Sequence, residues 1–376
     1  MLLQVRAAAL LVGLAAWCGS DVSPPTIDVN LDDDPQVRWA PLFQVFDTDF
    51  LKRTAQEMID AAIPKWIHEA LISVMNVSEP FILPEPYGEE LRGMSSHFGS
   101  NLSDIVMLNF AYEANAFCTS IVAQDKHGNV YHGRNLDYRY PALRKVTLNV
   151  NFWKNGKIAY TGTTFAGYVG LWTGQSPYKF TVSGDQRGKH HWWDLWKTIV
   201  SAFLMKRTPV SWLARETLEK AEDFQDAVLR LSKVPIIADV YYIVGGARPG
   251  EGAVITRNRA GPADIWPLEP LSGGWFRVET NFDHWVPNTG KDKRREAAEK
   301  AMNATGQEHV NMDSLFQVLS LFPVCNWKTV YTTTMSAASP ENYTTLIRPP
   351  ACHVTQQPEV LPAVRKVERM SQFFTP

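Results

Sequence analysis

The sequence predicts an α+β fold built on antiparallel sheets, and three observations carry that prediction. Helical periodicity dominates the chain before Cys118, strand alternation takes over after it, and strands pair through hairpin turns rather than helical crossovers. Residues 21–40 are rich in Pro and Asp and read as an extended lead-in. A helical pattern runs from Thr48 to Ile63, is broken by Pro64 and resumes from Trp66 to Val74. Pro80, Pro84 and Pro86 interrupt it again, and a further apolar helix follows from Leu102 to Ala111, capped by Asn101 or Ser103. Beyond Cys118, strands at 119–124 and 130–134 flank the turn signal Asp125-Lys126-His127-Gly128-Asn129. Strands at 146–153 and 158–165 flank Asn155-Gly156, a stronger hairpin signal. Further strands are expected at 178–183, 240–245, 253–256 and 329–335, with helices near 190–206, 211–232, 292–303 and 312–321.

The chain has 376 residues, with 37 basic and 39 acidic side chains and a formal net charge of -2, which argues against a nucleic-acid partner. Arg6, the apolar run Ala7 to Trp17 and the small residues Cys18, Gly19 and Ser20 predict a secretory signal over residues 1–20. Sequons begin at Asn76, Asn101, Asn303 and Asn342, so a glycosylated protein of the secretory route is expected. Once Cys18 leaves with the signal, Cys118, Cys325 and Cys352 remain, an odd count in an oxidising compartment. Cys325 and Cys352 could pair; sequence alone does not bring their Cα atoms together.

The histidines are scattered, without metal-ligand spacing, and neither a phosphate loop nor a G-x-S-x-G elbow is present, so no metal and no cofactor is expected. What remains is Phe117-Cys118-Thr119-Ser120 followed by His132-Gly133-Arg134-Asn135-Leu136-Asp137. Across a hairpin these ends lie side by side, and an arginine close to a thiol favours the nucleophilic thiolate. A half-buried Cys beside an ordinary Arg–Asp pair explains the spacing equally well.

Four longer segments carry a resemblance: Asn115 to Tyr138, Thr161 to Ser183, Ile236 to Arg257 and Glu279 to Trp285. Together they resemble the N-terminal-nucleophile amidases related to acid ceramidase. The resemblance implies an αββα sandwich of antiparallel sheets with an associated helical N-terminal piece. It also implies self-cleavage between Phe117 and Cys118, giving an alpha subunit over 21–117 and a catalytic beta subunit over 118–376 that remain together as a heterodimer. The Cys118 thiol would be the nucleophile and its freed α-amine the base. Arg134 and Asp137 would position them, and Asn281 would donate to the oxyanion. Arg294 matches a further family arginine less securely, because Arg295 is adjacent and such basic runs are usually solvated. One departure is Gln186, where the resemblance leads one to expect a glutamate that Asp185 replaces only in part.

The implied activity is lysosomal hydrolysis of fatty acyl ethanolamides to fatty acid and ethanolamine. Ceramide hydrolysis is the alternative within the same chemistry, and a non-catalytic lipid-binding protein the alternative outside it. Trp192, Trp193, Trp196, Ile199, Val200, Phe203 and Leu204 recur at helical spacing, with Trp66 in a second apolar stretch. Core packing explains such a stripe; so does peripheral docking on an anionic lipid surface, with Trp193, Trp196, Phe203 and Trp66 at the point of substrate entry.

Overall fold

Two sheets lie face to face in the computed structural model, which describes residues 20–66, 69, 72–73, 83–113, 117–188, 207–287, 290, 292–350 and 352. The larger sheet contains β1 (Thr26–Asn30), β4 (Thr147–Lys154), β5 (Lys157–Phe165), β6 (Thr173–Ser176), β7 (Phe180–Gln186), β8 (Val240–Gly246), β9 (Gly252–Arg257) and β10 (Pro262–Pro267), neighbouring one another in that order. The smaller contains β2 (Phe117–Gln124), β3 (Val130–Asp137), β11 (Phe276–Glu279), β12 (Thr329–Met335) and β13 (Thr344–Ile347), in the order β11-β2-β3-β12-β13. Both are antiparallel except where β1 pairs parallel with β4.

Period-2 alternation explains how β2 serves two layers at once. Val122 points between the sheets, with Val130, Tyr241, Ile243 and Val254. Ile121 and Ala123 point the other way, into a cluster with Met302, Leu315, Val318 and Leu319. Those last side chains come from α6 (Arg294–Thr305) and α7 (Met312–Ser320), which cover the smaller sheet. On the far side, α4 (Val210–Lys220) and α5 (Phe224–Lys233) cover the larger sheet, contacting β7 and β8. The layers therefore run α, β, β, α, as expected. Burial on both faces accounts for strands such as β8, in which every residue is buried.

Helices α1 (Thr48–Ala62), α2 (Tyr87–Phe98) and α3 (Leu102–Glu113) pack on the same main core. Asp47 caps α1 by accepting from the Phe50 N–H at 2.8 Å, and Ile63, ahead of Pro64, ends it in an extended conformation. Several expectations need correction. The lead-in contains β1, and α2 starts directly after Pro86, since proline is tolerated at a helix start. The helix expected over 211–232 is two, because Asp223 caps a fresh start by accepting from the Asp226 N–H. Cys325 and Cys352 are joined in a disulfide with Cα atoms 5.8 Å apart, which leaves Cys118 as the free cysteine among the described residues. Asn101, Asn303 and Asn342 are exposed; Asn76 lies outside the described residues.

Candidate active site

Cys118 is the second residue of β2, and its register with β3 fixes what surrounds it. Phe117 pairs with Asp137, Cys118 with Leu136 and Ser120 with Arg134. Directly opposed residues share a face, so Cys118, Ser120 and Arg134 face β7 while Phe117 and Asp137 face the helices. Arg134 donates from Nη2 to the Cys118 Sγ at 2.7 Å. Its other bonds, to the Trp172 and Gly184 carbonyls and the Thr173 hydroxyl, hold the guanidinium in place.

The expected Arg-induced thiolate is not what the uncut chain contains. Cys118 is fully buried, and burial pushes its thiol up to about 12 against the opposing pull of Arg134. The thiol is protonated at physiological pH and must lose its proton during attack.

The Asp137 carboxylate makes its contacts with residues other than the thiol. It accepts from the Thr329 hydroxyl at 2.6 Å, Asn326 Nδ2 at 3.2 Å and Arg294 Nη1 at 3.2 Å. The same Nη1 donates to the Cys118 carbonyl at 2.8 Å. Arg294 Nη2 donates to Asn281 Oδ1 at 2.7 Å, and that oxygen also accepts the Cys118 backbone N–H at 3.1 Å. Arg294 therefore spans the backbone of Cys118, and Asp292 braces its guanidinium through two further bonds. Asn281 donates from Nδ2 to the Gln186 carbonyl at 2.7 Å, so its amide lies along the Cys118 backbone. Arg295 is no solvated neighbour either: it is buried and paired with Glu279.

Sequence reading missed a polar chain between the sheets. Asp185 of β7 accepts from the Ser120 hydroxyl at 2.8 Å, and one of its oxygens lies 3.7 Å from Arg134 Nη2. Ser183 Oγ donates to Ser120 Oγ at 2.8 Å, and His132 bonds the Thr181 and Ser183 hydroxyls at 2.9 Å each. Burial pushes Asp185 up to about 7 and His132 down to about 3, so both are neutral in mild acid. Ser120, His132 and the β7 residues Thr181, Ser183 and Asp185 come from three strands; the available signal was the period-2 spacing of 181, 183 and 185 along β7.

Residues 22–82 match the family model described as the beta subunit of N-acylethanolamine-hydrolyzing acid amidase, and residues 118–295 match the linear amide C-N hydrolases, choloylglycine hydrolase family. The N-acylethanolamine-hydrolyzing acid amidase of Rattus norvegicus is 54% identical over 89% of this chain and 92% of its own length. The acid ceramidase of Mus musculus is 32% identical over 83% of each. The solved Caenorhabditis elegans N-acylethanolamine-hydrolyzing acid amidase ortholog superposes with a TM-score of 0.57 at 38% identity, covering 62% of this chain and 100% of that one. The chain belongs to the N-acylethanolamine-hydrolyzing acid amidase family. As an amide hydrolase of this family it has the N-terminal-nucleophile fold, and the matched amide-hydrolase segment begins at Cys118 itself.

Trp193, Trp196 and Phe203 lie outside the described residues, while Trp66 is 46% exposed. Among the described residues no helix is long and apolar enough to cross a membrane. A narrow, largely apolar cleft at the seam between the N-terminal helices and α4 is lined by Leu91, Val106, Asn109, Phe110, Pro209 and Trp212.

Proposed function

We propose that this chain cuts itself between Phe117 and Cys118 and then hydrolyses N-acylethanolamines to fatty acid and ethanolamine. The observation that carries the reading is that both reactive atoms of Cys118 have a partner, Arg134 for the sulfur and Asn281 for the backbone nitrogen, while Arg294 holds the Cys118 carbonyl in place. In the first stage the thiol attacks the Phe117 carbonyl and the peptide nitrogen leaves as an amine. Water then opens the resulting thioester, leaving a Phe117 carboxylate and a free Cys118 α-amine. In the second stage that amine takes the thiol proton, the thiolate attacks the substrate amide, and ethanolamine departs with the proton. Water releases the fatty acid from the acyl-enzyme.

Asp137 and the Asn281 oxygen would hold the new ammonium, and Arg134 would stabilise negative charge on sulfur. Substrate binding requires the Asn281 amide, or a backbone N–H beside it, to meet the developing oxyanion. The pieces 21–117 and 118–376 remain associated as a heterodimer. A glycosylated lysosomal enzyme, peripheral on lipid through Trp66, Trp193, Trp196 and Phe203, fits the sequons and the apolar substrate class.

Intact-mass spectrometry after acid incubation tests the first stage: two fragments with Cys118 at a new N-terminus are expected, and Cys118→Ala should yield neither fragments nor turnover. An intact chain that still turned over substrate would overturn the mechanism. Side-by-side rates on palmitoylethanolamide and a ceramide test the substrate class, with the ethanolamide expected to dominate.

A further inference from the structure

Self-cleavage, the reading on which this inference rests, makes two charged termini from one neutral peptide. Water adds its oxygen to the Phe117 carbonyl carbon, and the nitrogen of Cys118 gains the protons it lacks. A terminal carboxyl has a reference pKa of about 3.3–3.7, so Phe117 carries a negative charge even in mild acid. The new ammonium meets Asn281 Oδ1, which already accepts the Cys118 N–H. The carboxylate arises beside Asp137, which is opposite Phe117 in the sheet and repels it. Arg294 is already engaged by Asp292, Asp137, Asn281 and the Cys118 carbonyl.

Two other cations stand against Phe117. Lys328 Nζ lies 4.9 Å from the centre of its ring, and the Arg139 guanidinium carbon 5.7 Å from it. Arg139 lies just past the end of β3, and its ring contact places its guanidinium against Phe117. Lys328 is tied alongside by the Tyr138 N–H, which donates to its carbonyl at 2.8 Å. Among the described residues neither cation has an ion-pair partner.

We propose that Arg139 and Lys328 form a binding site for the carboxylate that cleavage creates on Phe117. Before the cut they hold the Phe117 ring by cation–π contact, which steadies the scissile residue. After the cut they draw the carboxylate away from Asp137 and Cys118. That clears the thiol for substrate and anchors the end of the N-terminal fragment.

The test uses the full chain as Arg139→Gln/Lys328→Gln, beside the charge-keeping Arg139→Lys/Lys328→Arg. Arg139→Gln alone, at an exposed position, serves as a variant that preserves folding. Three quantities are read: intact mass over time, release of Phe from the native cleaved protein by a carboxypeptidase, and substrate turnover per cleaved molecule. The neutral variants are expected to cut at the same bond, lose Phe117 several-fold faster and turn over several-fold more slowly; the charge-keeping pair should behave as the unaltered chain. Normal cutting with Phe117 equally protected and turnover unchanged would sink the carboxylate site alone. A neutral variant that no longer cuts, while the charge-keeping pair does, would also overturn it and confine the pair to the uncut chain. An unaltered chain that is never cut would instead sink self-processing, and this site with it.

Discussion

Asp185 is the residue whose protonation the fold controls most directly near the nucleophile. It is fully buried, accepts one hydrogen bond from Ser120, and its Oδ2 has no hydrogen-bond partner among the described residues. Arg134 sits between it and the Cys118 sulfur, so an ionised Asp185 competes with a developing thiolate for one guanidinium. Burial raises Asp185 to about 7, against a reference of about 3.9 in an unfolded chain. Between these values the folded chain binds more protons than the unfolded one, so stability falls as pH rises through that window. Below about 7, Asp185 is neutral in the folded chain and Arg134 is left to the sulfur. Asp185→Asn keeps an oxygen for Ser120 and removes the titration. Its self-cleavage rate is therefore expected to stay nearly level as pH rises through about 7, where the unaltered chain slows. Rates from intact mass across that range decide it, and a variant that slows in parallel with the unaltered chain would show that another group gates the reaction.

Among the elements, β7 and the segment before β6 act as a cradle for Arg134, and one close approach makes the cradle possible. A Cβ on Gly184 would lie 2.6 Å from the Trp172 ring, and the carbonyls of both Gly184 and Trp172 accept from Arg134. Gly184→Ala is expected to cost about 1–3 kcal/mol by overpacking and to move the guanidinium off the sulfur. Thermal melting should show a modest loss while self-cleavage falls at least tenfold; an unimpaired cleavage rate in a folded variant would contradict the cradle. This link could not be read from sequence, because Trp172 and Gly184 meet only through sheet pairing between β6 and β7. The β2–β3 hairpin was legible, since Asp125 to Asn129 is a local turn signal whose side-chain bonds are local too: Asp125 Oδ1 accepts the His127 and Asn129 N–H groups at 2.8 Å each. Helix α1 was legible from its periodicity and Pro64. Strands β6, β11 and β13, four residues each, are too short to alternate visibly, and β10 is bounded by Pro262 and Pro267 at a sheet edge. Cys118, Arg134 and Asp137 stood out from the hairpin spacing and the motif resemblance together, Asn281 and Arg294 from the resemblance alone; Asp292, Asn326 and Thr329, which hold Arg294 and Asp137, gave no spacing to find.

Across the whole molecule, the N-terminal piece is built into the catalytic sandwich rather than laid upon it. β1 forms the edge of the larger sheet, and Glu90 of α2 crosses the seam. Fully buried, Glu90 accepts from Arg215 Nη1 and Nη2 at 2.5 and 2.7 Å, from Arg38 at 3.0 Å and from the Trp39 indole at 2.8 Å. Arg215 in turn lies 4.7 Å from the Phe152 ring centre and 5.2 Å from that of Tyr87. Arg38, Trp39, Tyr87 and Glu90 precede the Phe117–Cys118 bond, whereas Phe152 and Arg215 follow it. Once the bond is cut, this buried pair becomes an interface contact without a covalent link to enforce it. Removing one partner of such a pair costs about 3–5 kcal/mol, because the other charge stays buried alone. Before the cut that loss only lowers the melting point; afterwards it also favours separation, because parted fragments gain translational freedom. Glu90→Gln is therefore expected to fold and cut, but to elute as separated or aggregated fragments on size-exclusion chromatography where the unaltered protein elutes as one heterodimer. Glu90→Gln combined with Cys118→Ala, which cannot cut, should elute as a single species with a lowered melting point. Co-elution of the Glu90→Gln fragments at all dilutions would mean that the apolar seam and β1 suffice to hold the pieces together.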